Sequence, residues 1–97
     1  MSDDVPIRED VDGTRGRFFI ETDAGVAELT FSILSPGLRI ADHTAVPKAL
    51  EGKGLAYKLV QHLIADARAK EYKIVPLCPY VNAQHAKHPE WSDLFSV

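Results

Sequence analysis

Several features that direct a chain to a particular class of protein are missing from this sequence. A single cysteine, Cys78, among 97 residues cannot close a disulfide within the chain, which excludes a disulfide-stapled fold. No apolar run approaches the roughly 20 residues of a membrane-spanning helix. The acidic start Met1-Ser2-Asp3-Asp4 does not resemble a secretory signal. We therefore expect a cytoplasmic protein without a membrane partner.

Positive charge is scarce as well. The formal net charge is −3 and no basic run exceeds two residues, which argues against a nucleic-acid partner. The P-loop pattern Gly-x-x-x-x-Gly-Lys-Ser/Thr is absent. What remains is an ordinary globular composition, 45% hydrophobic and 26% charged. We expect a flexible N-terminal segment over residues 1–15, whose first dozen residues are either loose or docked at a sheet edge, and a single domain over residues 16–97.

Period-two alternation predicts consecutive antiparallel strands over residues 17–22, 26–34 and 38–46, separated by turns at Asp23-Ala24-Gly25 and Ser35-Pro36-Gly37. In the second strand one face carries Ala27, Leu29, Phe31 and Ile33. Continuous alternation in the third strand puts two sets on opposite faces: Leu38, Ile40, Thr44 and Val46 against Arg39, Ala41, His43 and Ala45.

A glycine-rich loop, Glu51-Gly52-Lys53-Gly54-Leu55-Ala56, follows the third strand and opens a helix that we expect to end near Lys70. The apolar residues of this helix recur at spacings of three and four. Glycines allow close approach of a ligand to the backbone, and a helix N-terminus presents unpaired amides to an anion such as phosphate. Glycines that serve only close packing are the alternative.

The next strand is predicted over residues 72–78, which makes a β-α-β crossover with parallel strands. Pro76 cannot donate a ladder hydrogen bond, so this strand should lie at an edge of the sheet or should separate from its neighbour near its end. Since the glycine loop and Cys78 both follow strand ends at one edge of the sheet, we expect them to be neighbours. Residues 79–87 suggest a short helix, and an apolar patch closes the chain: Trp91, Leu94 and Phe95.

These residues resemble the GNAT superfamily of acyl-CoA-dependent N-acetyltransferases, most closely its smallest single-domain members. The loop Glu51-Gly52-Lys53-Gly54-Leu55-Ala56 matches the superfamily's Arg/Gln-x-x-Gly-x-Gly/Ala pattern. The segments Asp42-His43-Thr44, Val46-Pro47, Val75-Pro76-Leu77-Cys78-Pro79-Tyr80-Val81 and His88-Pro89-Glu90 are similar to the small subfamily. The resemblance spans about Phe18 to Leu94. It implies an α/β, GNAT-like fold with antiparallel hairpin strands, a β-α-β crossover with splayed parallel strands, and short C-terminal helices.

The resemblance also implies acetyl-CoA as the cosubstrate. Its pyrophosphate would meet the amides of Gly52, Lys53, Gly54, Leu55 and Ala56, while its pantetheine arm would pair with the backbone around Thr44 and Val46. This sequence departs from the pattern at Glu51, where a basic or amide residue is usual, and at Gln84, where small relatives often carry an aromatic residue.

Amine acetylation by a thioester needs a neutral amine, an oxyanion donor and a proton source for the leaving thiolate. We expect the oxyanion donor among backbone amides near the end of the fourth strand. Cys78 is the first candidate proton source and Tyr80 the second; Cys78 as an acetylated nucleophile or as a buried packing residue are alternatives. His43 is a candidate base for the amine, although a surface role is its alternative. Glu21 and Glu28 are further candidates for that base.

The sequence thus predicts an N-acetyltransferase acting on a primary amine of a small molecule or a protein lysine, as a monomer or weak homodimer. A non-catalytic acyl-CoA-binding or sensing module is the alternative, and an interaction domain that docks through Trp91, Leu94 and Phe95 is a third hypothesis. Cys78, His85 and His88 have metal-ligand chemistry, but three ligands between two prolines are weak evidence, and no metal is expected.

Overall fold

The computed structural model describes residues 6–96, which form one five-stranded sheet with helices connecting and following its last strands. The elements are β1 (Arg8–Asp12), β2 (Arg15–Thr22), β3 (Gly25–Ser35), β4 (Leu38–Ala45), a 3-10 helix (Lys48–Leu50), α1 (Leu55–Lys70), β5 (Lys73–Pro76), α2 (Pro79–Lys87) and a second 3-10 helix (Pro89–Leu94).

The strands lie in the order of the chain, β1-β2-β3-β4-β5. The first four are antiparallel neighbours, and β5 pairs parallel to β4 after the α1 crossover. This arrangement confirms the predicted α/β class, with its hairpins followed by a β-α-β unit. The predicted strands and the long helix are all present, with boundaries shifted by a few residues.

Strand β1 was not predicted as a strand, although docking of this segment at a sheet edge was one alternative. It lies within the segment expected to be flexible and pairs with β2 from Arg8 opposite Phe19 to Asp12 opposite Arg15. All five of its residues are exposed, so no alternation of apolar and polar residues was required, and the sequence shows none. Partnering by β2 is what makes it a strand, and the remaining part of that expectation, residues 1–5, lies outside the described residues.

The core lies between one face of the sheet and the apolar stripe of α1. Strands β2 and β3 place alternate side chains on this face, with Phe18 opposite Leu29 and Ile20 opposite Ala27. From α1 the buried residues are Leu55, Leu59, Val60, Leu63, Ile64 and Ala67. The 3.6-residue period of the helix and the two-residue period of the strands therefore place their apolar side chains in one continuous cluster.

A β-bulge at Asp42 changes the phase of β4. Thr30 pairs with His43 while its neighbour Phe31 pairs with Ala41, so no β3 residue lies opposite Asp42 in the register, although its carboxylate accepts a hydrogen bond from Ser32. Arg39, Ala41, Thr44 and Val46 consequently share the core-facing side. Continuous alternation had put Thr44 and Val46 on the face opposite Arg39 and Ala41, and the bulge corrects that assignment. His43 does lie on the face opposite Thr44, as predicted.

Candidate active site

The two parallel strands separate just beyond the bulge. Ladder pairing between β4 and β5 ends at Ala41 opposite Pro76. Pro76 has no N–H, and the amide of Cys78 instead donates to the Ala41 carbonyl at 2.8 Å. Strand β4 continues to Ala45 while β5 stops at Pro76, so the last residues of β4 have a partner only on the β3 side. The gap expected from Pro76 opens here.

The glycine loop bends into α1 through left-handed backbone conformations. Gly52 has φ +83° and Gly54 has φ +75°, values that residues with a Cβ rarely adopt. A Cβ built on either glycine would meet no atom within 4 Å, so the space above the loop is open. Gly54 caps α1 without a side-chain hydrogen bond, and the first turn holds no acidic residue. The first amides of α1 therefore have no described side-chain acceptor.

A cavity of about 230 Å³ lies at this helix start. It is lined by residues of the loop and of the first α1 turn, by the end of the β4 segment and by the start of α2: Val46, Leu50, Glu51, Gly52, Gly54, Leu55, Ala56, Tyr57 and Tyr80. Five residues predicted to bind the cofactor are among them, namely Val46, Gly52, Gly54, Leu55 and Ala56. Lys53 and Thr44 are not part of this lining; Lys53 is exposed in the loop, and Thr44 lies on β4 two residues before Val46.

Cys78 lies at the point where the strands separate. Its side chain is buried, and its Sγ is 3.3 Å from the hydroxyl of Thr44. Cys78 also caps α2, whose first residue is Pro79. The amides of Leu77 and Cys78 donate to the carbonyls of Val75 and Ala41. Neither amide is therefore available as the oxyanion donor expected at the end of this strand, which is β5 in the structure. The nearest backbone amides left over by helix geometry are those of Tyr80 and Val81 in the first turn of α2.

Tyr80, the second candidate proton source, lines the cavity itself. Burial raises the pKa of its phenol, and the nearby Tyr57 raises it further. The phenol is therefore protonated at neutral pH and can act as a hydrogen-bond donor to a ligand.

Tyr57 was missed by the sequence analysis. It stands in the first turn of α1 and lines the cavity, and its phenol oxygen lies 3.4 Å from Nε2 of His88. On the far side of that ring, Nδ1 of His88 lies 2.9 Å from the Glu90 carboxylate. The His88-Pro89-Glu90 sequence was singled out, but no local pattern indicated that it would meet α1.

The three candidates for the amine base all lie away from this cavity. His43 is exposed and lies on the face of the sheet opposite the core, next to Thr30. Glu28 pairs with Arg17 at 2.7 Å, and Glu21 pairs with Arg8 at 2.8 Å. None of these side chains has a described contact with a residue that lines the cavity.

The candidate metal ligands are also separated. The ring of His85 stacks on Phe95 with centroids 4.1 Å apart, whereas His88 faces Tyr57 and Glu90. Over residues 6–96, no group of three or more His, Cys, Asp or Glu side chains converges as a metal site would require. Within the same range, no helix is long and apolar enough to cross a membrane.

Comparison with known proteins identifies the family. The sequence model of the GCN5-related N-acetyltransferases matches residues 17–94. The fold is similar to the NMR solution structure of a GCN5-like protein from Staphylococcus aureus, with a TM-score of 0.69 and 21% identity over 98% of this chain and 91% of that one. No curated protein matches the sequence. The chain belongs to the GCN5-related N-acetyltransferase family, and the resemblance drawn from the glycine loop is confirmed.

Acetyl-CoA, the cosubstrate implied by this family, suits the site as it is built. The open space above Gly52 and Gly54 leaves room for a phosphate against the backbone. The start of α1, where no side chain bonds the first amides, supplies donors for it. The unpaired end of β4 supplies backbone groups for an extended arm. Glu51 is the one feature that opposes an anion, because it places a carboxylate on the cavity wall.

Proposed function

We propose that the protein is an acetyl-CoA-dependent N-acetyltransferase that transfers the acetyl group to a primary amine, either of a small molecule or of a protein lysine. One observation carries the proposal: Val46 and Tyr80, which follow the two strands after they part at Ala41 and Pro76, both line the cavity at the start of α1. A cytoplasmic location and a monomer or weak homodimer remain predictions from the sequence.

In this proposal the pyrophosphate and the pantetheine arm of the cofactor bind to two different stretches of backbone. The amides of Gly52 to Ala56 hold the pyrophosphate at the positive end of α1. Thr44 has the same strand phase as Ala41, whose carbonyl points toward β5. Thr44 and Val46 therefore direct backbone groups toward the gap, where the pantetheine amides would complete a ladder.

The transfer step places the thioester beside Cys78. A neutral amine attacks the carbonyl carbon, the tetrahedral species loses its ammonium proton to solvent, and its carbon–sulfur bond then breaks to leave an amide and a thiolate. The amides of Tyr80 and Val81 stabilise the oxyanion, and the phenol of Tyr80 or the thiol of Cys78 donates a proton to the thiolate. His43 is not retained as the amine base, because its side chain is exposed on the opposite face of the sheet.

A non-catalytic acyl-CoA-binding module is the second candidate, and Glu51 favours it. Its exposed carboxylate repels phosphates at the position where the family pattern has a basic or amide residue. Such a site would hold the cofactor without the affinity and orientation that turnover needs.

The test is an NMR titration of the full chain with acetyl-CoA and with desulfo-CoA, followed by an assay of acetyl transfer to polyamines and lysine peptides. We expect saturable amide shifts at Gly52 to Ala56 and at Cys78, and acetylated amine in the assay. Binding without transfer to any amine selects the binding module. Unchanged spectra at millimolar cofactor contradict both candidates.

A further inference from the structure

A chain of hydrogen bonds leads from the cavity wall to the exposed carboxylate of Glu90. It runs from the phenol of Tyr57 to Nε2 of His88 over 3.4 Å, and from Nδ1 of His88 to Glu90 over 2.9 Å. The His88 ring is held in place by Trp91, which stacks on it with centroids 4.0 Å apart and planes inclined by 16°. Three separate contacts thus fix the side of His88 that faces Tyr57.

The chemistry of the three groups determines the direction of these bonds. The hydrogen bond from His88 lowers the pKa of Glu90, so this carboxylate is ionised at neutral pH and can only accept. The hydrogen of a neutral imidazole must therefore lie on Nδ1, which leaves Nε2 as an acceptor. Tyr57 then donates its only O–H to His88, and its proton points away from the cavity.

Protonation of His88 reverses the second bond. The imidazolium carries hydrogens on both ring nitrogens, so Nε2 becomes the donor and the Tyr57 oxygen the acceptor. The phenol hydrogen is then released and can turn into the cavity.

We propose that Tyr57 is a further binding residue for the phosphate-bearing part of acyl-CoA, and that the His88–Glu90 pair decides whether its hydroxyl donates to His88 or to the ligand. This inference rests on the proposed cofactor site. Acidification through the imidazole range adds a donor to the cavity wall and places a positive charge behind it. Both changes favour an anionic ligand.

The other titratable groups near this chain are few among the described contacts. From α1, Tyr57 faces His88 and Arg68 donates to the Glu90 carbonyl and pairs with Asp93. From α2, Tyr80 lies near Tyr57, and from the second 3-10 helix Glu90 pairs with His88. Glu51 shares the cavity wall. Burial raises the pKa of the Tyr80 phenol and the hydrogen bond from His88 lowers the pKa of the Glu90 carboxyl, so within this chain the proton count of the His88 ring decides the direction of both bonds.

The experiment is calorimetric titration of the full chain with 3′-dephospho-CoA at pH 5.5 and 7.5. This probe lacks the phosphate monoester of CoA, whose own titration near pH 6 would obscure the result. We expect the affinity to be about three- to tenfold higher at pH 5.5, the change that one added hydrogen bond produces. His88→Gln and Tyr57→Phe should lose this pH dependence, whereas His85→Gln, which removes an imidazole stacked on Phe95, should keep it.

The outcomes separate this inference from the proposed function. Amide spectra first establish that each variant is folded. Binding by the wild-type protein with the same pH dependence in His88→Gln, or with unchanged affinity at both pH values in Tyr57→Phe, overturns the role of Tyr57 and leaves the cofactor site standing. No binding by the folded wild-type protein at either pH overturns the cofactor site and this inference together.

Discussion

The thiol of Cys78 lies 3.3 Å from the hydroxyl of Thr44, across the gap where β4 and β5 part. The two residues are brought together by the backbone bond from the Cys78 amide to Ala41 and by the bulge that turns Thr44 toward the core. The contact places a weakly acidic group at the gap between β4 and β5 that is proposed to hold the pantetheine arm. It is the natural starting point for testing the chemistry.

Replacing Cys78 by Ala should slow acetyl transfer by at least about tenfold. Loss of a general acid costs on the order of 10²-fold or more, but Tyr80 remains as a second donor and makes the loss smaller. The affinity for acetyl-CoA should change little, because Cys78 does not line the cavity at the α1 start. Single-turnover rates and calorimetry on the same preparations measure the two quantities.

The matched control for Cys78→Ala is Thr44→Val, which removes the partner hydroxyl but keeps the thiol. A role of the thiol in proton transfer predicts a much larger effect at Cys78 than at Thr44. Full activity of Cys78→Ala would return this residue to a packing role in the core, where it is 2% exposed.

Replacing Gly54 by Leu should abolish cofactor binding while the fold persists. The new side chain would enter the open space above the loop, and its left-handed backbone, φ +75°, would cost about 1–2 kcal/mol of stability. Gly13→Leu is the control, since Gly13 also has a positive φ, +65°, and open space, but lies in the turn between β1 and β2. Comparable losses of thermal stability with binding lost only at Gly54 would support the loop as the phosphate site; equal binding by both variants would contradict it.

Neutralising Glu51 should strengthen acetyl-CoA binding. Its exposed carboxylate shares the cavity wall with Gly52 and Gly54, so Glu51→Gln should raise the affinity about two- to fivefold at low ionic strength. The gain should shrink in 0.5 M salt, because surface charges are screened there. Asp23→Asn removes an exposed charge from the β2–β3 turn and should leave affinity unchanged. A gain of similar size in both variants would point to net charge rather than to a local effect.

The buried phenol of Tyr72 should make the fold sensitive to alkali. Burial, first, and the hydrogen bond to Asp66, second, raise its pKa well above the ordinary value of 10.0, although the nearby guanidinium of Arg39 opposes this. Since the folded-state pKa is the higher one, the stabilisation is complete below pH 10 and is lost as the pH rises, because only the unfolded chain ionises there. We expect the unfolding free energy to fall by up to about 1.4 kcal/mol per pH unit above pH 10 from this group.

Tyr72→Phe measures that contribution directly. The variant loses the bond to Asp66 and is less stable at pH 8, but its unfolding free energy should decline less steeply between pH 10 and 11.5 in urea titrations. Parallel pH profiles for the two proteins would show that Tyr72 ionises equally in both states. The pH profile of Tyr80→Phe is measured in the same way for comparison, because burial also raises the pKa of Tyr80.

Much of the fold could be predicted because it depends on local patterns. The alternation in β2 and β3 and the helical stripe of α1 follow from backbone periods that are the same in every protein, and the glycine loop follows from backbone freedom at Gly52 and Gly54. Pro76 indicated where the parallel strands part, because a missing N–H has the same effect in any sheet.

Other features were decided only when distant residues met. Strand β1 is made by pairing with β2, and nothing in its exposed residues distinguishes it from a loop. The bulge at Asp42 reverses the faces of the first half of β4, since one unpaired residue shifts a two-residue period by one step. Arg39 is the consequence: its side chain is 12% exposed and lies over the rings of Phe31 and Tyr72, where continuous alternation gave no reason to expect a charge against the core.

The sequence by itself therefore determined the strands from β2 onward, the long helix, the family and the glycine loop proposed to meet the cofactor, because each follows from local patterns in the chain. The tertiary structure decided which side chains share the site. Tyr57 and His88 are far apart in the chain, and they meet only because the segment after α2 folds back against the start of α1. Contacts between distant segments depend on the packing of the whole domain, and no local pattern records them.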